Sequence, residues 1–361
     1  MIELLNILLM NLFHQQGVEV IRVEHSPKRT SYGLLHEPVN RYVVYSRTGT
    51  FCVVCKLITF APTPDMLFER MYSNCLSREK KLNLDAFKEY NEYLSMRHMP
   101  QRELFFYQHM PDALKELIPR YWGIVTEESK QYIVMEDLSS YKNMDMIENP
   151  NVWSYDTLLQ AMMDLAHVHR HLQQFRPYIQ HKFNYEPIQQ FLYSFHNQIT
   201  FHSGVIPDEV VHKAGNQFIS DLTLYEIELS HDAVVIHNDF NIRNMCFSDS
   251  NKHIKLFDWE FWDIDSPVKD ILDLLLSLNP NQIDQTIIDN LLQKYIDESI
   301  RITGSNLSLS NYKKMLYYVA LKYSATRMNM YLLCYHRNRI PYIVRMYRNL
   351  STIIQMYKVV S

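Results

Sequence analysis

The segment 235–260 constrains the fold of this chain more than any other, because polar residues follow two short apolar runs there. The first run leads into His-Asn-Asp, whose aspartate is Asp239, and Asn244 follows; the second leads into Asp258, followed by Trp-Glu. Short apolar runs bounded by polar residues predict β-strands. We expect the two strands to be neighbours, which would bring the two carboxylates and the amide of Asn244 together at one metal site.

The order H-N-D-x-x-x-x-N followed by D-W-E resembles the motifs of the aminoglycoside phosphotransferase and choline kinase superfamily. Asn238 and the Asp-aromatic-Glu-aromatic run 258–261 look more like the choline and ethanolamine kinase branch. The resemblance covers about residues 20–280. It implies an α+β, bilobal protein-kinase-like fold, with an antiparallel-sheet nucleotide-binding lobe over 1–135 and a mainly helical catalytic lobe over 136–361.

Phosphoryl transfer from a nucleotide needs a carboxylate that orients and deprotonates the attacking hydroxyl, and oxygen ligands that hold magnesium against the phosphates. The resemblance implies the first role for Asp239 and the second for Asn244 and Asp258, with ATP and Mg²⁺ as cofactors; GTP stays open as the nucleotide. His237 and Asp270 are expected to be structural. His237 would fix the loop backbone, and Asp270 would hold the loop through His237 or backbone amides.

Lys56 lies within an apolar run that predicts the second strand of a hairpin turning at Gly49. A buried ammonium needs a partner, because burying it alone is costly. In kinase-like folds this strand carries the lysine that contacts the α- and β-phosphates. Its expected partner is Glu103, which with the run 119–123 resembles ecdysteroid-kinase-like members of the superfamily. Glu89, on another predicted helix, is the alternative.

The strand that ends near Met135 and Glu136 and leads into Leu138 resembles the crossover between the two lobes. There adenine would bond to backbone N–H and C=O groups, so these three residues are expected to bind the cofactor. The chain has only 7 glycines and no G-x-G-x-x-G motif, and only Gly33 stands where a phosphate-covering loop would lie. Arg243 stands where the family usually has a small residue, so it could contact a phosphate or a carboxylate, or repel magnesium.

The phosphate acceptor is predicted from the residues after the metal aspartate. Trp259, Glu260 and Trp262 combine aromatic faces with a carboxylate, which suits a cationic ligand. The sequence therefore predicts a small hydroxylated cation such as choline, ethanolamine or an aminoglycoside. The alternative that both tryptophans only pack in the core stays open.

Two other functions remain alternatives at this stage. One is a kinase acting on a peptide or protein, although no activation-loop A-P-E segment follows Asp258. The other is a catalytically inactive nucleotide-binding protein, against which the presence of all the principal active-site residues speaks.

Charge is distributed unevenly along the chain. Residues 221–300 contain 16 acidic and 5 basic side chains, whereas residues 301–361 contain 10 basic and no acidic ones. We favour basic C-terminal helices that pack beside an acidic catalytic part; a basic surface for an anionic partner or membrane is the alternative. The net charge of −4 argues against a general nucleic-acid binder.

The cysteines and the apolar segments indicate where in the cell such a chain would be found. Five cysteines without regular spacing indicate a reducing compartment, and hence the cytoplasm. Cys52 and Cys55 lie three apart in a predicted strand, on opposite faces, so they cannot share a metal. The apolar start, residues 1–13, predicts an amphipathic helix, and no segment reaches transmembrane length.

The periodicity of apolar residues predicts a helical C-terminal half. His169 lies on the apolar face of the first predicted helix, 155–175, so it is predicted to be a buried structural histidine. The predicted helices are 155–175, 185–201, 207–229, 268–277, 283–301, 309–332 and one near 341–358.

Overall fold

The computed structural model describes residues 2–30, 39–58, 84–94, 99–128, 130–142, 146–179, 183, 185–202, 209–247, 253–338 and 340–358. Within these ranges, the N-terminal part holds a five-stranded antiparallel sheet and the C-terminal part is mostly helical. This arrangement confirms the predicted α+β class. The lobe boundary at residue 135 stays a prediction, and Gly33 lies outside the described residues.

The sheet has the strand order β1-β2-β3-β5-β4, and every neighbouring pair is antiparallel. The predicted hairpin is confirmed, because Ser46 pairs with Gly49 at its turn. Gly49 has φ of 143°, a region that glycine enters at low cost. The strands are β1 (Val20–Thr30), β2 (Val39–Ser46), β3 (Gly49–Ile58), β4 (Tyr121–Glu127) and β5 (Lys130–Glu136).

Helix α1 (Ile2–Gln15) packs against β1 and β4, which confirms the amphipathic helix predicted for the N-terminus. Leu5, Leu9 and Leu12 are buried against the outer face of the sheet. The helix approaches β4 closely at Gly123, where φ is 137° and an added Cβ would lie 2.7 Å from Leu12 Cδ1. Both the backbone conformation and the short distance favour glycine there.

Strand β3 presents its two faces to different parts of the molecule, because successive side chains in a strand alternate. Val53 and Cys55 are buried on the side of α1, and Val54 packs against the larger core on the other side. Lys56 shares the face of Val54, which directs its ammonium toward the C-terminal part. Cys52 also lies on that face, so the two cysteines are on opposite faces, as predicted.

Two pairs of short strands carry the motifs. β6 (Val234–Ile236) pairs with β9 (Asp263–Asp265), and β7 (Met245–Phe247) pairs with β8 (Ile254–Leu256). The strands before Asp239 and Asp258, which were expected to be neighbours, do not pair with each other, since β6 and β8 belong to separate two-stranded sheets.

The described helices agree with the predicted ones in place, but two predicted helices are each divided. The range predicted as 207–229 is two helices with a break at Asp221, and the range predicted as 309–332 breaks at Thr326. The helices are α2 (Leu84–Tyr93), α3 (Met99–His109), α4 (Tyr155–Leu172), α5 (Tyr185–His202), α6 (Glu209–Ser220), α7 (Leu222–Ser230), α8 (Val268–Ser277), α9 (Gln285–Thr303), α10 (Leu309–Ala325), α11 (Arg327–Asn338) and α12 (Pro341–Tyr357).

The break at Thr326 has a local cause. Thr326 leaves the helical region, with φ −115° and ψ −92°, and its hydroxyl donates a hydrogen bond to the Lys322 carbonyl at 2.6 Å. Threonine side chains that bond to the preceding turn compete with helix continuation. The chain therefore changes direction here, and Arg327 begins α11 beside the loop that carries Asp239.

Helix α8 lies at the centre of the C-terminal part and is buried at every position. Its three charged residues all have partners: Lys269 forms an ion pair with Asp273 at 2.6 Å, and Asp270 one with His169 at 2.9 Å. Pairing is what makes such burial tolerable. Among the described helices, none combines the length and hydropathy needed to cross a membrane.

Candidate active site

The loop after β6 is held by Asp270 of α8. The two carboxylate oxygens accept hydrogen bonds from the backbone N–H groups of His237 (2.8 Å) and Asn238 (2.7 Å). Asn238 has a positive φ of 64°, a conformation that asparagine tolerates better than most residues. Burial would raise the pKa of Asp270, but the hydrogen bond and charge of His169 outweigh it and leave the pKa lowered. The geometry agrees with the predicted structural role.

His237 connects this loop to the end of β8. Its Nε2 donates to the Phe257 carbonyl at 3.0 Å, and its Nδ1 accepts from the Asp239 N–H at 3.2 Å. One ring nitrogen donates and the other accepts, as in a neutral imidazole, and burial lowers the pKa of His237. This bridge brings Asp239 and Asp258 together although their strands do not pair.

His169 is a buried structural residue, as the sequence predicts. Its Nε2 donates to Asp270 Oδ2 at 2.9 Å, and its Nδ1 lies 2.8 Å from the Tyr295 hydroxyl. The hydrogen bonds therefore run from α9 through His169 to the carboxylate that holds the loop.

Asp239 is 1% exposed and accepts hydrogen bonds on both oxygens. Asn241 and Asn244 of the same loop donate to it at 3.0 and 2.6 Å. Two arginines also reach it: Arg243 Nη2 lies 3.1 Å from Oδ2, and Arg327 Nη1 lies 3.3 Å from Oδ1. The candidate catalytic carboxylate is thus bound to two cations of its own chain.

The position of Arg243 is defined by contacts with two side chains. Besides Asp239, it donates to the Tyr342 hydroxyl of α12 at 3.2 Å. Burial lowers the pKa of Arg243, but the charge of Asp239 outweighs it and raises the pKa overall. Of the roles that the sequence left open, the structure therefore gives Arg243 a carboxylate contact.

Lys56, Glu103, Asp258 and Glu260 form a second group, here called the Lys56 cluster. Lys56 Nζ lies 2.7 Å from Glu103 of α3 and 2.5 Å from Asp258. Burial lowers the pKa of Lys56, but the charges of Asp258 and Glu103 outweigh it and leave the pKa well above its usual value. Of the two candidate glutamates, Glu103 rather than Glu89 is therefore the ion-pair partner.

The Lys56 cluster has the donor set of a magnesium site. Carboxylate oxygens of Glu103, Asp258 and Glu260 lie within 4.8 Å of one another, and magnesium binds such oxygens. Burial and the adjacent charge of Asp258 raise the pKa of Glu260 to about 8. Asn244 lies close to Asp258 in the structure. Its backbone carbonyl accepts a hydrogen bond from the Phe257 N–H at 3.0 Å, just beyond the paired strands β7 and β8. Asp258 has φ of 67°, which turns its backbone after β8.

The segment after β5 is tied to both parts of the molecule. Asp137 forms an ion pair with Arg41 of β2. Glu136 accepts from the Tyr141 hydroxyl at 2.7 Å and from the Arg120 N–H at 3.1 Å. Met135 and Leu138 are buried here. The role of Met135, Glu136 and Leu138 in nucleotide binding stays a prediction. The ion pair between Arg41 and Asp137 was not predicted, because neither residue lies in a recognisable sequence motif.

The two tryptophans predicted to face the acceptor are buried in the core. Trp259 is 0% exposed and stacks on Phe106 with ring centroids 3.9 Å apart. Trp262 donates from Nε1 to the Arg102 carbonyl at 2.9 Å and is also buried. Glu260 lies in the Lys56 cluster. These contacts favour the core-packing alternative for both tryptophans.

A cavity of about 500 Å³ lies beside the loop that carries Asp239, and its volume is in the range of small-molecule sites. Asn238 and Arg327 are part of its wall, so it reaches the surroundings of Asp239. The lining residues are Tyr93, Leu94, Ile179, Phe183, Tyr185, Glu226, Leu229, Ser230, Ala233, Asn238, Asp263, Ile264, Asp265, Lys269, Lys322, Thr326 and Arg327.

The charges around this cavity are paired within the chain. Lys322 of α10 forms ion pairs with Glu226 (3.0 Å) and Asp265 (2.9 Å), and Asp263 lies 3.4 Å from Arg102. Farther along α10, Lys313 pairs with Asp289 and Lys314 with Glu228. These contacts support the account in which the basic C-terminal helices pack beside the acidic segment 221–300.

Two solved structures are similar to this chain. The chain is similar to the AMP-bound spectinomycin phosphotransferase, with 12% identity and a TM-score of 0.51 over 96% of this chain and 95% of the other. It is also similar, at 12% identity and a TM-score of 0.46, to a choline/ethanolamine kinase family protein from Mesorhizobium loti, over 92% and 87% of the two chains. The first likeness shows the kinase-like fold that the sequence predicts.

A sequence profile identifies the family of this chain. The profile of the ecdysteroid kinase-like family matches residues 79–303, more than half of the chain. The chain therefore belongs to the ecdysteroid kinase-like family, which the run around Glu103 already resembled. No curated protein matches the sequence significantly.

Proposed function

We propose that this chain is a phosphotransferase that uses ATP and magnesium to phosphorylate a hydroxyl group of a small molecule. The observation that carries the proposal is the Lys56 cluster, in which Lys56 contacts both Glu103 and Asp258 while His237 joins Asp258's strand end to Asp239's loop. Four elements that are distant in sequence contribute to this one site. The fold and the family are those of kinases.

The residues have distinct proposed roles. Asp239 orients the attacking hydroxyl and accepts its proton at a carboxylate oxygen. Asn244 and Asp258 hold magnesium, and Lys56, kept in place by Glu103, binds phosphate oxygens. Magnesium-bound ATP would supply the phosphoryl group. The protein contributes mainly positioning and charge neutralisation, since phosphoryl transfer asks for little covalent chemistry from it.

The adenine is proposed to bond to backbone groups of the segment that contains Met135, Glu136 and Leu138. The cytoplasm remains the proposed location. The support is that the described cysteines Cys52, Cys55 and Cys246 are free thiols, as a reducing compartment would keep them.

Two classes of acceptor remain candidates. The sequence predicts a cationic alcohol, and the acidic segment 221–300 motivates that prediction. The ion pairs of Lys322 and the burial of both tryptophans favour an uncharged acceptor instead, because the carboxylates near the cavity already have cationic partners. The family name points to a steroid alcohol as one uncharged candidate.

The test is a screen for acceptor-dependent ADP release with magnesium and ATP. The panel holds amino alcohols, aminoglycosides, neutral sugars, nucleosides, steroid alcohols and hydroxyl-bearing peptides at matched concentrations. Turnover of an alcohol, with the phosphate found on its oxygen by mass spectrometry, supports the proposal. ATP binding with no turnover anywhere would favour an inactive nucleotide-binding protein, and phosphorylation of peptides alone would favour a protein kinase.

A further inference from the structure

Arg327 connects the cavity with the candidate catalytic carboxylate. It forms part of the cavity wall together with Asn238, and its Nη1 lies 3.3 Å from Asp239 Oδ1. A molecule that fills the cavity therefore contacts a wall to which Arg327 belongs, and Arg327 in turn contacts Asp239.

The guanidinium group of Arg327 has two defined contacts, but one of its nitrogens has no hydrogen-bond partner among the described residues. Its side chain is 10% exposed, and its central carbon lies 4.6 Å from the centroid of the Phe261 ring, a cation–π contact. Nη1 bonds to Asp239, whereas Nη2 is buried and has no hydrogen-bond partner among the described residues. A buried donor without a partner is costly, and such donors are rare unless a ligand or water supplies the acceptor.

The other cations of the cavity wall differ from Arg327 in this respect. Lys269 is paired with Asp273, and Lys322 is paired with Glu226 and Asp265. Among the cations in the described part of the wall, Arg327 thus has a buried nitrogen, Nη2, that donates no hydrogen bond.

We propose that Nη2 of Arg327 is an oxygen-binding subsite of this cavity. It takes a second oxygen of the acceptor, uncharged or anionic, that lies next to the hydroxyl presented to Asp239. This inference rests on the proposed function and specifies its acceptor class. A protonated amine at the same place would meet the charges of Arg327 and Arg243, so alcohols with an adjacent oxygen are favoured over adjacent amino alcohols.

Three probes of one shape isolate the subsite: trans-cyclohexane-1,2-diol, cyclohexanol and trans-2-aminocyclohexanol. They share the ring and one hydroxyl and differ only in the neighbouring group. Dissociation constants are measured at pH 7 by ligand-observed NMR on the 361-residue chain with ADP and magnesium. Because a hydrogen bond to a charged group is among the stronger ones, we expect the diol to bind about tenfold more tightly than cyclohexanol, and the amine to bind more weakly than cyclohexanol.

Two variants and a control assign the preference to Arg327. Arg327→Lys keeps a positive charge but lacks the forked donor, and Arg327→Met removes every donor. In both variants, the preference for the diol should fall to about twofold or less. Lys314→Gln, which removes an exposed ion pair on the neighbouring helix, should keep the preference, and circular dichroism checks that each variant is folded.

Equal binding of the diol and cyclohexanol to the wild-type chain, or no binding of any probe, would overturn the subsite. So would a preference that survives in Arg327→Met. Failure of the proposed function has a different signature: the diol preference is present and depends on Arg327, yet no alcohol in the screen receives phosphate from ATP.

Discussion

The Lys56 cluster and the Arg327 side of Asp239 differ in how the chain builds them. The Lys56 cluster joins residues that each stand in a recognisable motif or strand, and its ion pairs are 2.5–2.7 Å long. The Arg327 side is built by α11, beyond residue 303, where the family profile ends. The Lys56 cluster could therefore be anticipated from sequence motifs, whereas the Arg327 side depends on the packing of a helix that lies outside the family profile.

The largest expected effect is at Asp239, which lies on the Arg327 side and is linked to the Lys56 cluster through His237. Asp239→Asn should lower turnover about 10²–10⁴-fold, the range for loss of a general base, while ATP binding persists. The measurement is steady-state kinetics alongside calorimetric titration with magnesium and ATP. Asp289→Asn, at a partly exposed ion pair on α9, is the control for charge removal alone. Near-wild-type turnover in Asp239→Asn would remove this residue from the chemistry.

The second prediction concerns the attachment of the C-terminal helices. Lys322→Gln leaves Glu226 and Asp265 without their buried cation, and breaking a buried pair in this way costs about 3 kcal/mol in the free energy of unfolding. Lys314→Gln on the same helix is the matched control, since its partly exposed pair contributes about 0.5 kcal/mol or less. Urea unfolding measures both. Equal losses in the two variants would show that burial does not distinguish these pairs.

The third prediction separates the two regions by their ligands. Magnesium should increase the stabilisation by ATP, because a ligand that binds only the native state stabilises it by about 2.7 kcal/mol at a hundred times its dissociation constant. Asp258→Ala should abolish the magnesium-dependent part of the thermal shift. Arg327→Met should retain it. If Asp258→Ala keeps the full shift, magnesium binds elsewhere.

The smallest effect is a dependence of stability on pH. The pKa of Glu260 is raised to about 8 in the native state, against about 4.3 in an unfolded chain. Between these values the native state retains a proton that the unfolded state has lost, so the contribution of Glu260 to stability falls as pH rises from about 4.5 to about 8. Without magnesium, Glu260→Gln should have a Tm a few °C above wild type at pH 8, and near wild type at pH 5.

The contrary result for Glu260 is a Tm difference that is the same at both pH values. Glu260→Gln also sharpens the comparison of regions. The sequence placed Glu260 beside the acceptor, where the substitution would raise the KM of a cationic acceptor. Its position in the Lys56 cluster predicts instead a change in the magnesium dependence of ATP binding.

The sequence was informative where a motif fixes its own geometry. Asp239, Asn244 and Asp258 could be predicted because their motifs resemble those of known kinases. A buried lysine requires a partner but left Glu103 and Glu89 both open, and the ion pair with Glu103 is what the structure adds. Arg327 could not be found, because its position depends on the helix break at Thr326, and threonine occurs in many unbroken helices. The pairing of β6 with β9 was also beyond prediction, since strands of three residues leave their partners undetermined.

The burial of α8 has a consequence for the motions of the site. The amide protons of His237 and Asn238 are bonded to Asp270 on a helix with no exposed residue. Exchange of these protons with solvent requires the centre of the C-terminal part to open, so their protection should approach that of global unfolding. Catalytic loops commonly open far more readily than the core around them. In this chain the loop that carries Asp239 is therefore expected to open only when the core opens, and easier motions near the candidate site are expected in the segments that surround this loop.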